Sequence, residues 1–180
     1  MSIHTLDSSG ANVRTEGDSK PFVHAERSTS QTFTDATEAN MSFNVDVENN
    51  VGAALHNTAS NADRFYATRD GLWHATGWHI WNTTGWSNTI QTYSRIWHYN
   101  SAGTKLGSYG QSSWVAYHSN GYAPNLPSGQ STGYVNMTEG DYLVYRVYYK
   151  YWPGGSTHPT AATSGSNGYN GFQMRYVGTV

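Results

Sequence analysis

The chain has 180 residues, of which only 12% are charged, and 10 Lys and Arg against 12 Asp and Glu give a formal net charge of −2. That balance provides no basic stripe for nucleic-acid phosphates and no polybasic patch for a membrane surface, and no run of about 18 apolar residues offers a membrane-spanning helix. With no cysteine there is no disulfide framework, so a domain of this size must be held by its core.

Residues 1–20 are polar, rich in Ser, Asp and Gly, and show neither helical nor strand periodicity, which predicts a flexible arm. Its aliphatic side chains, apart from Met1 and the small Ala11, are Ile3, Leu6 and Val13. The domain is expected over 21–180, where short runs rich in β-branched and aromatic residues alternate with Gly, Asn, Ser and Pro clusters. Strands are expected at Phe22–Glu26, Met41–Val47 and Arg64–Thr68. The oxygen-bearing cluster Asp46, Glu48, Asn49 and Asn50 lacks the ligand order and glycine of a calcium loop, so it reads as a solvated strand end.

The next strand, Gly71–Trp81, is unusual in carrying large apolar side chains on both faces. Trp73, Ala75 and Trp81 point one way, and Leu72, Trp78 and Ile80 point the other. A strand facing water on one side would alternate cleanly between apolar and polar, so this one calls for a second cover, expected to be another copy of the chain. Further strands follow at Thr89–Tyr99, Ser113–Tyr117, Thr132–Met137, Asp141–Tyr151 and Asn170–Val177. Turns are expected at 100–103, with Gly103 at positive φ, and at 138–141. The Pro/Gly loops at 123–129 and 152–159 are candidate apex loops for recognition, with Tyr122, Asn125, Trp152 and His158 as their candidate contact residues. No window has the spacing of a long helix, so the fold class is all-β.

The chemistry-bearing residues are sparse. His74 and His79 lie five apart, on opposite faces of one strand, and neither sits in a metal-ligand spacing. There is no nucleophile elbow and no phosphate loop, and Asp141 after a turn glycine reads as a cap for that turn. No catalytic residue, metal or cofactor is therefore expected. The aromatic load, 14% with 14 Tyr and 7 Trp, suits a core plus a subunit contact, with sugar stacking as the alternative. In the run 141–151, Leu143, Tyr145, Val147, Tyr149 and Tyr151 form a predicted core face. Val144, Arg146, Tyr148 and Lys150 form a second, amphipathic one.

Three segments in order resemble the trimeric jelly rolls of complement C1q and tumour-necrosis-factor type. Phe65-Tyr-Ala-Thr-Arg-Asp-Gly-Leu-Trp73 is similar to that family's entry into a central strand, with Thr68 where Pro is usual and Trp73 where Tyr is usual. Val135-Asn-Met-Thr-Glu-Gly-Asp-Tyr-Leu-Val-Tyr-Arg-Val147 resembles the turn and strand around its Gly-Asp, and Tyr169-Asn-Gly-Phe-Gln-Met174 resembles its closing strand. The resemblance implies an antiparallel jelly-roll β-sandwich and a homotrimer whose threefold contact is lined by the strands near 71–81, 141–151 and 170–177. Trp78, Trp81, Val144, Arg146, Tyr148 and Tyr176 are then the expected interface residues. No collagen-like stalk or heptad repeat precedes the domain.

A cysteine-free trimeric jelly roll behind a short polar arm is similar to the small knobs on virions, especially those of tailed bacteriophages. The implied role is a non-enzymatic capsid decoration or cement protein, made in the host cytoplasm. Ile3, Leu6 and Val13 of the arm would hold it to the major capsid protein or another virion protein. A tail-fibre tip that recognises a host surface glycan or protein is the alternative, and a bacterial lectin-like adhesin is a third.

Overall fold

Alternation with a period of two organises the computed structural model, which describes residues 5–6, 12–13, 20–82, 89–116, 128–152, 160–161 and 169–180. The strands in chain order are β1 (Thr5–Leu6), β2 (Asn12–Val13), β3 (Phe22–Glu26), β4 (Gln31–Thr32), β5 (Ala39–Asn40), β6 (Val45–Asn49), β7 (Phe65–Tyr66) and β8 (Gly71–Asn82). They continue with β9 (Thr89–Tyr99), β10 (Lys105–Ala116), β11 (Ser128–Met137), β12 (Tyr142–Trp152), β13 (Thr160–Ala161) and β14 (Gly171–Gly178). One sheet runs β4-β13-β8-β14-β3-β6, with β11 also paired to β8; the other runs β10-β9-β12-β5, with β7 also paired to β12. Every pairing is antiparallel.

The inner faces of the two sheets make one core. Val23, Ala25, Trp73, Ala75, Trp81, Val135, Phe172 and Met174 come from the first sheet, and Phe65, Ile96, Leu143, Tyr145, Val147 and Tyr149 from the second. The three motifs that suggested the fold meet there. Phe65 stacks on Phe172 with centroids 4.2 Å apart, and Ala67 pairs its backbone with both Gly140 and Asp141 at 2.8 Å. The first motif therefore clamps the other two, although they are distant in sequence.

Both predicted turns form. Gly103 has φ 83° and donates to Asn100 O at 2.9 Å; Gly140 has φ 89°, and Asp141 N reaches Thr138 O at 3.0 Å. Most strand bounds agree to within a residue or two; the strand expected at Thr132–Met137 begins four residues earlier, at Ser128, and three further differences stand out. The expected strand Met41–Val47 is two, β5 and β6, because the chain crosses there from one sheet to the other. Met41 N bonds Tyr145 O in the second sheet, Asn44 N bonds Glu26 O in the first, and Met41 and Phe43 are buried on the way. The strand expected at Ser113–Tyr117 begins eight residues earlier, at Lys105, since register shifts after Lys105 and Tyr109 break the alternation by which strands are read. Gly110 sits in the second shift at φ 57°, where an added Cβ would lie 2.1 Å from Thr132 O. Finally, residues 5–6 and 12–13 of the arm pair as a small antiparallel ladder, Thr5 opposite Val13 and Leu6 opposite Asn12. Two-residue strands are too short to show alternation.

The core face of β12 has the expected register: Leu143, Tyr145, Val147 and Tyr149 are all buried. Val147→Ala should cost about 1–3 kcal/mol through lost transfer energy and a residual cavity. Val45→Ala, at an exposed strand position, should stay within about 0.5 kcal/mol. Urea unfolding of the two variants checks the contrast.

Candidate functional site: two outer faces

Once the inner faces are packed, the broad surfaces left among the described residues are the outward faces of the two sheets. On the first, Trp78 lies opposite Gly171 of β14, where an added Cβ would come within 2.2 Å of the indole ring. The missing side chain lets the ring lie across β14. It meets His24 of β3 at a centroid distance of 5.5 Å. Further along β8, His74 packs on Tyr134 at 4.7 Å, and Thr132 links His74 Nε2 at 3.1 Å to the Thr76 hydroxyl at 2.9 Å. Burial, with a contribution from nearby Arg175, lowers the His74 pKa and favours the uncharged ring. Tyr134 is 59% exposed, and it shares a cavity of about 280 Å³ with Lys20, Phe22, Arg175, Tyr176 and Val177.

The second outer face is a ladder of rings and cations. Across β9 and β12 the outward rows are Tyr99 opposite Tyr142, Trp97 opposite Val144, Arg95 opposite Arg146, and Tyr93 opposite Tyr148. The end rows stack face to face, Tyr99 on Tyr142 at 5.1 Å and Tyr93 on Tyr148 at 4.4 Å. Between them Lys105 Nζ sits 3.4 Å and the Arg146 guanidinium 3.9 Å from the Trp97 ring centroid. Glu38 takes two bonds of 2.6 Å from Arg95 and accepts from Arg146 through its backbone carbonyl. The Arg95 pKa is raised, first by that hydrogen-bonded carboxylate.

Several other titratable groups are committed to structure. Asp141 Oδ2 accepts from Thr138 N and from His98 Nε2, each at 3.0 Å, so it caps its turn as expected. Asp46 holds buried His56 at 2.5 Å and also accepts from Asn49, so the cluster at 46–50 is internally bonded. Among the described residues no group of three or more His, Cys, Asp or Glu could hold a metal ion. Deep in the core, Tyr145 donates to Gly129 O at 3.2 Å and its oxygen lies 2.7 Å from His79 Nδ1. The other ring nitrogen, Nε2, is buried with no hydrogen-bond partner among the described residues. Burial pushes the His79 pKa down to about 3 and the Tyr145 pKa up.

The expected interface residues do not share one surface. Trp78 faces outward on the first sheet. Val144, Arg146 and Tyr148 face outward on the second, with β12 in the sheet opposite β8 and β14. Val144 is only 1% exposed, beside Tyr142 and Arg146 and opposite Trp97. Trp81 and Tyr176 belong to the chain's own core, which corrects their assignment to a subunit contact. Trp81 has the parity of Trp73 and packs edge-on to Phe33 at 5.4 Å and Tyr149 at 5.6 Å. Tyr176 has the parity of Phe172 and Met174, meets Trp73 at 5.4 Å, and has Arg69 over its ring. Of the arm residues, Leu6 and Val13 lie in the β1-β2 ladder, and Ile3 is outside the described residues. So are the apex candidates Tyr122, Asn125 and His158, together with the side chain of Trp152, whose backbone ends β12 opposite Thr89. Sequence reasoning missed Tyr93, Arg95, Trp97 and Tyr99, although their i, i+2 spacing in β9 displays them on one face.

No protein-family model matches the chain, and no curated protein matches it either. Solved structures do. The globular domain of zebrafish complement 1qA protein aligns with a TM-score of 0.53 at 11% identity, covering 90% of this chain and all of that one. Murine APRIL, of the tumour-necrosis-factor family, aligns with a TM-score of 0.56 at 9% identity, covering 88% of this chain and all of that one. The fold is a C1q/tumour-necrosis-factor-like jelly roll. At these identities the likeness speaks for the fold alone.

The buried His79 has a consequence for acid stability. Its pKa of about 3 in the folded state lies below the ordinary 6.5, so the unfolded chain binds more protons between those values. This contribution favours unfolding increasingly as pH falls from 6.5 toward 3 and is absent above that window. Urea midpoints measured across it should decline less steeply in His79→Phe than in the unsubstituted protein.

Proposed function

We propose that this protein is a non-enzymatic, trimeric structural knob of a virion, a capsid decoration protein held through its N-terminal segment. The observation that carries the self-association is the first outer face. There Trp78 spreads over Gly171 beside His24, while Leu72, Ile80 and Phe22 are half-buried and Tyr134 is exposed. Such a face on an antiparallel sheet suits burial against another copy, and a ring of three copies is closed by a heterologous contact of this kind. The likeness in fold to C1q and APRIL domains supports the same reading. The non-enzymatic part rests on the commitment of His56, His98, Asp46, Asp141 and Glu38 to structural hydrogen bonds. In the attachment, Ile3, Leu6 and Val13 would insert into a partner surface such as the major capsid protein. Three segments per knob would add avidity to weak single contacts.

A receptor-binding knob at a tail-fibre tip is the second reading, and the ring-and-cation face of the second sheet favours it. Co-sedimentation separates the two: decoration predicts binding to protein shells, whereas a receptor knob predicts binding to host cells.

Light scattering at micromolar concentration should find three chains per particle, as expected for an obligate interface of roughly 2,000–5,000 Å². Trp78→Glu should yield folded monomers; a monomeric unsubstituted protein would contradict the reading. Deleting residues 2–20 should leave the trimer intact and abolish shell binding, and full occupancy by the truncated protein would show that the domain itself is the anchor.

A further inference from the structure

We propose that the outer face of the β10-β9-β12-β5 sheet binds an acidic polysaccharide, holding its carboxylates on Arg146 and Lys105 around Trp97. The reason lies in an imbalance of charge. Arg95 and Arg146 stand directly opposite each other on neighbouring strands, an arrangement that is destabilising unless an anion lies between them. Glu38 supplies that anion for Arg95 alone, by a bidentate pair at 2.6 Å. Among the described residues Arg146 bonds the Glu38 backbone carbonyl and no carboxylate. Lys105, 3.4 Å from the Trp97 ring centroid, adds a third cation. Three cations therefore gather around Trp97, with Glu38 bonded to Arg95 and the further carboxylates Asp35 and Asp63 near the tyrosine stacks at the two ends.

The cations are also held in place. Trp97 carries Arg146 and Lys105 on its π-system, and the tyrosine stacks fence the row at both ends, about 20 Å apart at the ordinary strand rise. Pre-positioned groups lose little freedom on binding, and a guanidinium fork matches a carboxylate in shape. A carboxylate is thus the group that Arg146 and Lys105 lack among the described residues. The chain carrying it is better a saccharide than a peptide. β9 lies between β10 and β12, so the row of Tyr93, Arg95, Trp97 and Tyr99 offers no free backbone edge for a peptide to extend. What the face offers instead is tyrosine rings and cations, which suit hydroxyls, pyranose rings and carboxylates. The inference holds whether the knob sits on a shell or on a tail, and it does not depend on the trimer contact.

Calorimetry with the full chain tests it, using short oligosaccharides of hyaluronan, alginate and polysialic acid as probes, neutral dextran as control, and poly-glutamate as the peptide comparison. Saturable binding to at least one acidic oligosaccharide is expected, weakening as salt is raised to about 0.3 M and absent with dextran. Arg146→Gln and the exposed Lys105→Glu should each lose about tenfold or more in affinity with unchanged light-scattering mass and melting temperature. The second variant decides the matter if the first fails to fold. Failure of all three probes, equal binding of dextran, or unaltered affinity in Lys105→Glu would each overturn the inference. Tighter binding of poly-glutamate would overturn the saccharide in favour of an acidic peptide.

Discussion

The sandwich depends on a glycine facing a tyrosine. The Tyr145 ring of β12 occupies the space where a side chain of residue 77 would begin: a Cβ there would lie 2.4 Å from the ring. Because β8 has no side chain at that position, the ring can cross the core until its hydroxyl reaches His79 and Gly129 O in the opposite sheet. A polar seam follows from this contact. Ser94 bonds Ser131 at 2.9 Å and Ser112 at 3.2 Å, so small hydroxyl side chains fill the core where bulky ones would have no room. The sheets are thus joined by directional bonds as well as by the apolar clusters on either side, and such bonds favour one register over its neighbours.

Register matters here because a slip by one residue exchanges the two faces of a strand. With Trp73, Ala75, Gly77, His79 and Trp81 turned inward, Leu72, His74, Thr76, Trp78 and Ile80 have no choice but to face out. The same parity in β9 and β12 sends Tyr93, Arg95, Trp97 and Tyr99 outward beside Arg146 and Tyr148. Core packing therefore builds two outer surfaces of different chemistry. The first is aromatic and histidine-bearing, with Gly171 leaving room for a flat indole, and suits contact with another copy. The second is a fenced row of cations and suits an anionic ligand.

Much of the fold was legible because alternation and turn chemistry are local. Gly71–Trp81 announced two apolar faces, Gly103 and Gly140 marked their turns, and Leu143 and Val147 disclosed the core side of β12. What stayed hidden depends on distant contacts. Nothing local shows that Met41 and Phe43 span the two sheets, or that the bulge at Gly110 extends β10 back to Lys105. Nor can parity within one strand say which strands share a sheet. Trp78 and Tyr148 could therefore be grouped in one interface although they lie on opposite outer faces. Trp81 and Tyr176 were misplaced for a related reason, since a large ring suits an interface as well as a core. The ladder on β9 was readable in its spacing, but its meaning came from Arg146 and Glu38, which approach from other strands.

Hydroxyl-radical footprinting of the unsubstituted protein in dilute solution tests the division of the two faces most directly. Tyr134 is 59% exposed in the single chain, whereas Tyr93 and Tyr148 are half-buried. The account predicts that assembly reverses this order, with Tyr134 and Trp78 protected and the rims of Tyr93 and Tyr148 oxidised more readily. Oxidation of Tyr134 at the rate of a freely exposed tyrosine, with protection on Tyr93 and Tyr148, would show that the chain associates through the second sheet and would contradict the account.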